Sequence, residues 1–234
     1  MAIGNVTPDS FYPASRLGSA DVVVRWAQGA LADGADILDI GACSTRPNST
    51  PVPERDEWER LAPALEAIRE AFPEASLSID TFRPGIARRA IEQFGPMIIN
   101  DVSGGCEAMT AVVRAMRVPY IWTLRGRLDW PAMHPEMMEN DVILDPGFGF
   151  IGSTEADYEC MRHMAELKAY NRPILVGVSR KSMIWRTLGI TPEQSLTATQ
   201  VLHLYALQQG ADILRVHDVK EAAQTIALFN KLVP

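Results

Sequence analysis

Residues 77–101 read Leu-Ser-Ile-Asp-Thr-Phe-Arg-Pro-Gly-Ile-Ala-Arg-Arg-Ala-Ile-Glu-Gln-Phe-Gly-Pro-Met-Ile-Ile-Asn-Asp. Two short apolar runs, 77–80 and 97–101, flank an amphipathic stretch over 84–94. Pro84 suits the first turn of a helix, and Gly95 suits its stop. Each run ends in a polar side chain that an apolar strand interior would not tolerate: Asp80 in the first, Asn100 and Asp101 in the second. The stretch reads as strand, helix, strand, with parallel strands covered on both sides.

The same unit recurs outward in both directions. Apolar runs predict further strands near 2–6, 37–41, 120–123, 142–145, 174–177 and 213–216. Helical patterns fall at 20–33, closed by Gly34, and at 53–71, where Trp58, Leu61, Leu65 and Ile68 are spaced by three and four. Others fall at 154–170, 191–209 and 220–232. Eight strands alternating with helices imply an α/β fold, a (β/α)8 TIM barrel; a doubly wound open sheet is the structural alternative. A length of 234 residues suits one domain over 1–234. The fifth unit is short: only 14 residues, 127–140, separate strands five and six, room for about two helical turns. Trp130, Met133, Met137 and Met138 are expected to close the gap this leaves, or a partner subunit to cover it. Long loops at 7–16 and 42–53, rich in Ser, Thr and Pro, are expected to be binding loops at the barrel mouth.

Composition narrows the function. Hydrophobic residues make up 47%, enough for a full core, and the net charge of −7 comes from interspersed acids and bases. A nucleic-acid surface needs clustered cations, so none is expected. Cys43, Cys106 and Cys160 lie far apart with no zinc spacing and read as reduced thiols. The opening Met-Ala-Ile-Gly-Asn-Val-Thr lacks the charged and apolar regions of a signal peptide, and no run approaches the ~20 apolar residues of a membrane span. A cytoplasmic protein is expected.

Polar residues recur at strand ends, where a TIM barrel places its active site. Asn5, Asp39, Asp80, Asn100 and Asp145 end or sit in strands; Ser179, Arg180 and Lys181 follow the seventh, and Arg215, His217 and Asp218 come with the eighth. A helix cap or turn is an equal reading for Asp9, Asp101 and Asp218 taken singly. Asp80, Asn100 and Asp145 offer mostly acceptors, which suits a planar ligand edge rich in N–H groups, such as an aminopyrimidinone. Lys181, Arg215 and His217 bring cationic or donor groups near the last two strands, where TIM barrels often hold phosphate.

These residues also carry a resemblance. Asn5-Val-Thr-Pro-Asp-Ser-Phe11, Asp39-Ile-Gly-Ala-Cys-Ser-Thr-Arg-Pro47, Ser78-Ile-Asp-Thr81, Ile99-Asn-Asp-Val-Ser-Gly104, Leu144-Asp-Pro-Gly-Phe-Gly-Phe150, Gly177-Val-Ser-Arg-Lys-Ser182 and Arg215-Val-His-Asp218 resemble, in order, the motifs of the dihydropteroate synthases, a family that sulfonamides target. The resemblance implies a transferase of folate biosynthesis. It would condense 6-hydroxymethyl-7,8-dihydropterin diphosphate with p-aminobenzoate, giving 7,8-dihydropteroate and pyrophosphate. It implies that Asp80, Asn100, Asp145 and Lys181 hold the pterin, with Phe150 and Leu124 lining the pocket. Thr45, Arg215 and His217 would contact the diphosphate, and Asn5 would help to hold Mg2+ on it. Phe11, Arg46, Pro47 and Ser182 would shape the p-aminobenzoate site, and Lys181, Arg215 and His217 would serve catalysis. A homodimer is implied as well.

The chain departs from the family's pattern at Cys43, where Glu is usual, and at Trp122-Thr123-Leu124, where Met-His-Met is usual. It departs again at Ile151-Gly152-Ser153 and in the short fifth unit. Two other readings keep the pterin: a non-catalytic pterin-binding paralogue, and a pterin-dependent methyltransferase with a cobalamin partner.

Overall fold

The computed structural model describes residues 1–6, 20–43 and 52–233. Along them run β1 (Ala2–Asn5), α1 (Ala20–Ala32), β2 (Ile37–Gly41), α2 (Glu54–Ala71), β3 (Ser76–Asp80), α3 (Pro84–Phe94), β4 (Ile98–Asp101) and α4 (Glu107–Met116). There follow β5 (Tyr120–Thr123), α5 (Trp130–Met133), β6 (Val142–Asp145), α6 (Thr154–His163), β7 (Leu175–Val176), α7 (Ser182–Leu188), α8 (Leu196–Gln208), β8 (Ile213–Leu214) and α9 (Val219–Leu232). Pro84 does open α3, and Gly95 closes it at φ 84°, donating its N–H to the Ile91 carbonyl.

β1 to β6 form one parallel ladder in chain order, and β7 pairs in parallel with β8. Isolated parallel bridges join the two sheets, Leu144 with Ile174 and Ala2 with Val216. Across them Leu144 N–H donates to the Pro173 carbonyl at 2.8 Å and Ile3 N–H to the Val216 carbonyl at 2.9 Å. The eight strands thus follow one another around a TIM-type (β/α)8 barrel whose pairing thins at two seams.

Strand alternation sorts the side chains. Met1, Ile121, Ile143 and Leu175, with Ile37, Ile98 and Ile213 against them, make an apolar layer separate from the main core. The main core contains the opposite faces of the strands, such as Leu38, Ile40, Ile79 and Ile99, together with helix residues such as Ala27, Leu65 and Ile86. Side chains repeat every second residue along a strand, so the layer above the apolar one is Ile3, Asp39, Asn100, Thr123, Asp145, Gly177 and Arg215. The barrel interior therefore changes from hydrocarbon to polar within about 7 Å along the strands, two residues at ~3.3 Å each.

Several expectations shift in detail. The stretch 154–170 divides into α6 and a 3-10 turn at Met164–Tyr170, and the stretch 191–209 into a 3-10 turn at Glu193–Ser195 followed by α8. The runs at 174–177 and 213–216 pair as strands over only two residues each, although the Arg215 N–H still donates to the Val176 carbonyl at 2.9 Å. Two helices, α4 and α7, come from stretches that were not read as helical.

The short fifth unit folds as α5 and a 3-10 turn, Pro135–Glu139. Trp130 packs on Trp122 with ring centroids 5.1 Å apart, and the Arg127 guanidinium lies 3.4 Å from the Trp130 ring centroid. Met137 is buried and Met138 packs partly against the core, as expected. Met133 is not part of that cover: it is 66% exposed. A one-turn helix has a single inward row, and the broad Trp130 ring takes the place there.

Candidate active site

Asp39 is the hub of the polar layer. Fully buried on β2, it accepts hydrogen bonds from Ser78 Oγ at 2.6 Å, Asn100 Nδ2 at 3.1 Å and Arg215 Nε at 2.7 Å. Arg215 also donates through Nη2 to Asp80 Oδ2 at 2.7 Å, so one guanidinium bridges two carboxylates from neighbouring strands. Asp80 and Asn100 face each other in register on β3 and β4. Asp80 Oδ1 and Asn100 Oδ1 are buried and have no hydrogen-bond partner among the described residues. A buried acceptor without a donor costs free energy, so each marks where a ligand N–H fits.

Asp145 ends β6, and the turn after it is built to hold it. Gly147 stands at φ 87°, and a Cβ there would lie 2.8 Å from the Arg125 backbone nitrogen. Only glycine tolerates that crowding. Its N–H donates to Asp145 Oδ1 at 2.8 Å. Gly149, at φ 82°, donates to the buried carboxylate of Asp157 at 2.8 Å and leaves room beside the Lys181 stem. Lys181 Nζ hydrogen-bonds the Phe148 carbonyl and lies 5.1 Å from the Phe150 ring centroid. Leu124 is fully buried, and its N–H donates to the Asp145 carbonyl at 2.7 Å.

Burial and charge set the protonation of this layer. Burial pushes Asp80 up to about 7, with Arg215 pulling it down and Asp39 pushing it further up. Burial also raises Asp145, against the pull of Lys181. Lys181 is lowered to about 8 by burial, which the nearby carboxylates only partly offset. Burial works against the charge of Arg215, but Asp39 and Asp80 outweigh it and hold its pKa above the ordinary range. A carboxyl poised near neutrality beside a permanent cation suits recognition of a polar, partly ionisable heterocycle.

The remaining residues lie around this layer. His217 Nδ1 is 3.1 Å from Ser179 Oγ, which also accepts from the His217 backbone N–H. Ser182 begins α7, immediately after Lys181. Asn5 ends β1, its Oδ1 3.4 Å from the point where a Cβ on Gly41 would stand, with Asp80 Cβ equally near. Phe11, Thr45, Arg46 and Pro47 lie outside the described residues. Asp101 and Asp218 take structural roles. Asp101 accepts from the Ser103 N–H and the Tyr120 hydroxyl, while Asp218 holds Arg180 through two bonds of 2.8 Å.

Sequence reasoning placed Asp39 at a strand end without giving it a role; three converging donors now supply one. It missed Glu57 entirely. That carboxylate is buried at the start of α2, accepts from Thr81 Oγ1 at 2.6 Å and pairs with Arg83, which also donates to the Val52 carbonyl. A lone Glu among the charges of Glu-Arg-Asp-Glu at 54–57 reads as solvated, so no local signal could have found it. Its network fastens Val52, where the described chain resumes, to the backbone next to Asp80.

A TIM barrel with a ring of buried acceptors and two partly buried cations at its polar layer is built to hold a polar, charged ligand. The family model described as "Pterin binding enzyme" matches residues 1–128 and 132–217. The dihydropteroate synthase of Synechocystis sp. is 34% identical, the match covering 99% of this chain and 89% of that protein. A dihydropteroate synthase from Xanthomonas albilineans, solved with 4-aminobenzoic acid, superposes with a TM-score of 0.88 at 31% identity, over 100% of this chain and 93% of that one. One from Coxiella burnetii, solved with pteroic acid, gives 0.87 at 29% identity, over 99% and 92%. The chain belongs to the dihydropteroate synthase family, whose members are transferases.

Proposed function

We propose that the protein joins 6-hydroxymethyl-7,8-dihydropterin diphosphate to p-aminobenzoate, releasing pyrophosphate and forming 7,8-dihydropteroate. The observation that carries this reading is the convergence of unpartnered Asp80 and Asn100 oxygens with Asp145, Lys181 and Arg215 in one polar layer. Asp80, Asn100 and Asp145 accept N–H groups from the pterin edge, Lys181 donates to it, and Leu124 and Phe150 flank the ring. Arg215 has five N–H donors. Nε and one on Nη2 are engaged with Asp39 and Asp80, and Nη1 makes no bond among the described residues. It can therefore reach a diphosphate without releasing the carboxylates. His217 and Thr45 add donors to the same group, and Phe11, Arg46, Pro47 and Ser182 take p-aminobenzoate.

Asn5, whose hard amide oxygen lies beside Asp80, would help to hold Mg2+ on the substrate diphosphate. The chemistry the ion supplies there is neutralisation of charge on the leaving group. In the reaction the methylene C–O bond breaks, its electron pair leaving with pyrophosphate. The arylamine nitrogen then bonds to the pterin-conjugated methylene and loses a proton to solvent. Arg215 and His217 stabilise charge that grows only as the bond breaks, so they contribute to rate more than to ground-state binding.

The protein acts in the cytoplasm, on this reading, and pairs as a homodimer. No described helix is long and apolar enough to cross a membrane. The test is direct: supply pterin diphosphate and p-aminobenzoate with Mg2+, then measure pyrophosphate release and dihydropteroate by mass spectrometry. Binding of bare pterin without either product would instead mark a non-catalytic paralogue. Transfer of a methyl group to a corrinoid protein would mark the methyltransferase.

A further inference from the structure

Thr123 is a polar group of this layer to which neither the motifs nor the mechanism above gives a role. On β5, Tyr120 and Trp122 face outward: the Tyr120 hydroxyl reaches Asp101 Oδ2 at 2.9 Å, and Trp122 Nε1 reaches the Gly104 carbonyl at 2.9 Å. Ile121 faces inward with Ile143 and Leu175. Thr123, two residues further on, therefore faces the barrel axis one layer higher. Its register partner on β6 is Asp145.

The Thr123 side chain is fully buried, yet its hydroxyl has no hydrogen-bond partner among the described residues. The methyl group explains why rotation does not cure this. Cγ2 lies 2.9 Å from where a Cβ on Gly147 would stand, against the turn that holds Asp145. A β-branched side chain packed on one branch has little freedom at χ1. Three buried, unpartnered oxygens thus come from three consecutive strands: Asp80 Oδ1, Asn100 Oδ1 and Thr123 Oγ1. Among the described residues, the other unpartnered buried side-chain polar atoms, on Gln200 and His203, belong to α8. Of the three oxygens, only the threonine can both donate and accept.

We propose that Thr123 is a further ligand-contacting residue, its hydroxyl hydrogen-bonding the heterocycle between the groups contributed by Asn100 and Asp145. It takes a ring edge that alternates donors with acceptors, as an aminopyrimidinone does. The proposal rests on the pterin reading of this site.

Two variants test it. Thr123→Val keeps the shape and removes the hydroxyl; Thr123→Ser keeps the hydroxyl. Each is titrated calorimetrically with bare 6-hydroxymethyl-7,8-dihydropterin and melted without ligand, alongside the wild type. Thr123→Val is expected to weaken binding about 5- to 10-fold, the loss of one hydrogen bond, while Thr123→Ser stays within about twofold. The ligand-free Tm of Thr123→Val should equal or exceed that of the wild type, because valine removes a buried hydroxyl that no described residue bonds. Wild-type affinity in Thr123→Val overturns the proposal. So does a lowered ligand-free Tm with binding unchanged, since the hydroxyl would then serve the fold. A wild type that binds no pterin overturns this inference and the reading beneath it together.

Discussion

The two halves of the barrel hold their site residues in different ways. Asp39, Asp80, Asn100 and Asp145 come from the continuous six-strand ladder, on short side chains whose positions the backbone dictates. Lys181, Arg215 and His217 come from beside the β7–β8 pair, where strands shrink to two residues, and they act through longer side chains or from turns. Arg215 reaches across the barrel to β2 and β3, 176 and 135 residues away in sequence. A rigid half fixes hydrogen-bond geometry for a planar heterocycle. A half built on long cationic stems meets charge that moves during the reaction. On the proposed function, the ladder residues together with Lys181 select the heterocycle, and Arg215 and His217 set the rate.

The sharpest way to break this division is Arg215→Ala. Turnover should fall at least about 100-fold, the scale of losing one preorganised donor to developing charge. Affinity for bare pterin should fall far less than in Asp145→Ala. Equal losses of bare-pterin affinity in the two variants would show the halves to be one unit, joined through the Arg215–Asp80 bond.

Next in size is an effect on stability. Glu57→Ala leaves Arg83 without its buried partner, and breaking such pairs costs about 3 kcal/mol or more. Chemical denaturation should show that loss; a change under about 0.5 kcal/mol would mean that water compensates Arg83 fully.

A pH series sharpens the contrast further. Asp80 must be ionised to accept, and its pKa is raised to about 7, so pterin affinity should fall as pH drops through that value. Lys181 donates more strongly as the ammonium, and its pKa is lowered to about 8, so affinity should fall again above it. Each limb approaches a tenfold loss per pH unit well outside the plateau, about 1.4 kcal/mol. Asp80→Asn should flatten the acidic limb alone. An acidic limb that persists in that variant would assign it to another group.

The smallest effects belong outside the site. Trp130→Ala should cost about 1 kcal/mol through the lost Trp122 contact, while Met133→Gln should stay within about 0.5 kcal/mol, as measured by thermal melts.

Much of this was legible along the chain. The 77–101 unit gave its strands and helix within a residue or two, because Pro84, Gly95 and the apolar runs act locally. Asp80, Asn100 and Asp145 stood out because a carboxylate or amide ending an apolar run has few structural uses. Helix α4 was missed because it has neither a proline start nor a glycine stop, and α7 because the seven residues Ser182–Leu188 are too few to establish a 3.6-residue period. Glu57 and Thr123 were invisible as site components, since their meaning depends on partners or empty valences contributed by other strands.

The sequence by itself determined the eightfold alternation, the apolar strands and the polar residues that close them, since each depends on periodicity within a few residues. Only the tertiary structure decided that Arg215 bridges Asp39 and Asp80, that Glu57 is buried beneath Thr81 and Arg83, and that Thr123 joins the polar layer without a partner among the described residues. The physical reason is that burial and hydrogen-bond satisfaction are properties of a closed surface. Barrel closure alone fixes which side chains from eight separate strands share one interior and which of their polar atoms remain unbonded there.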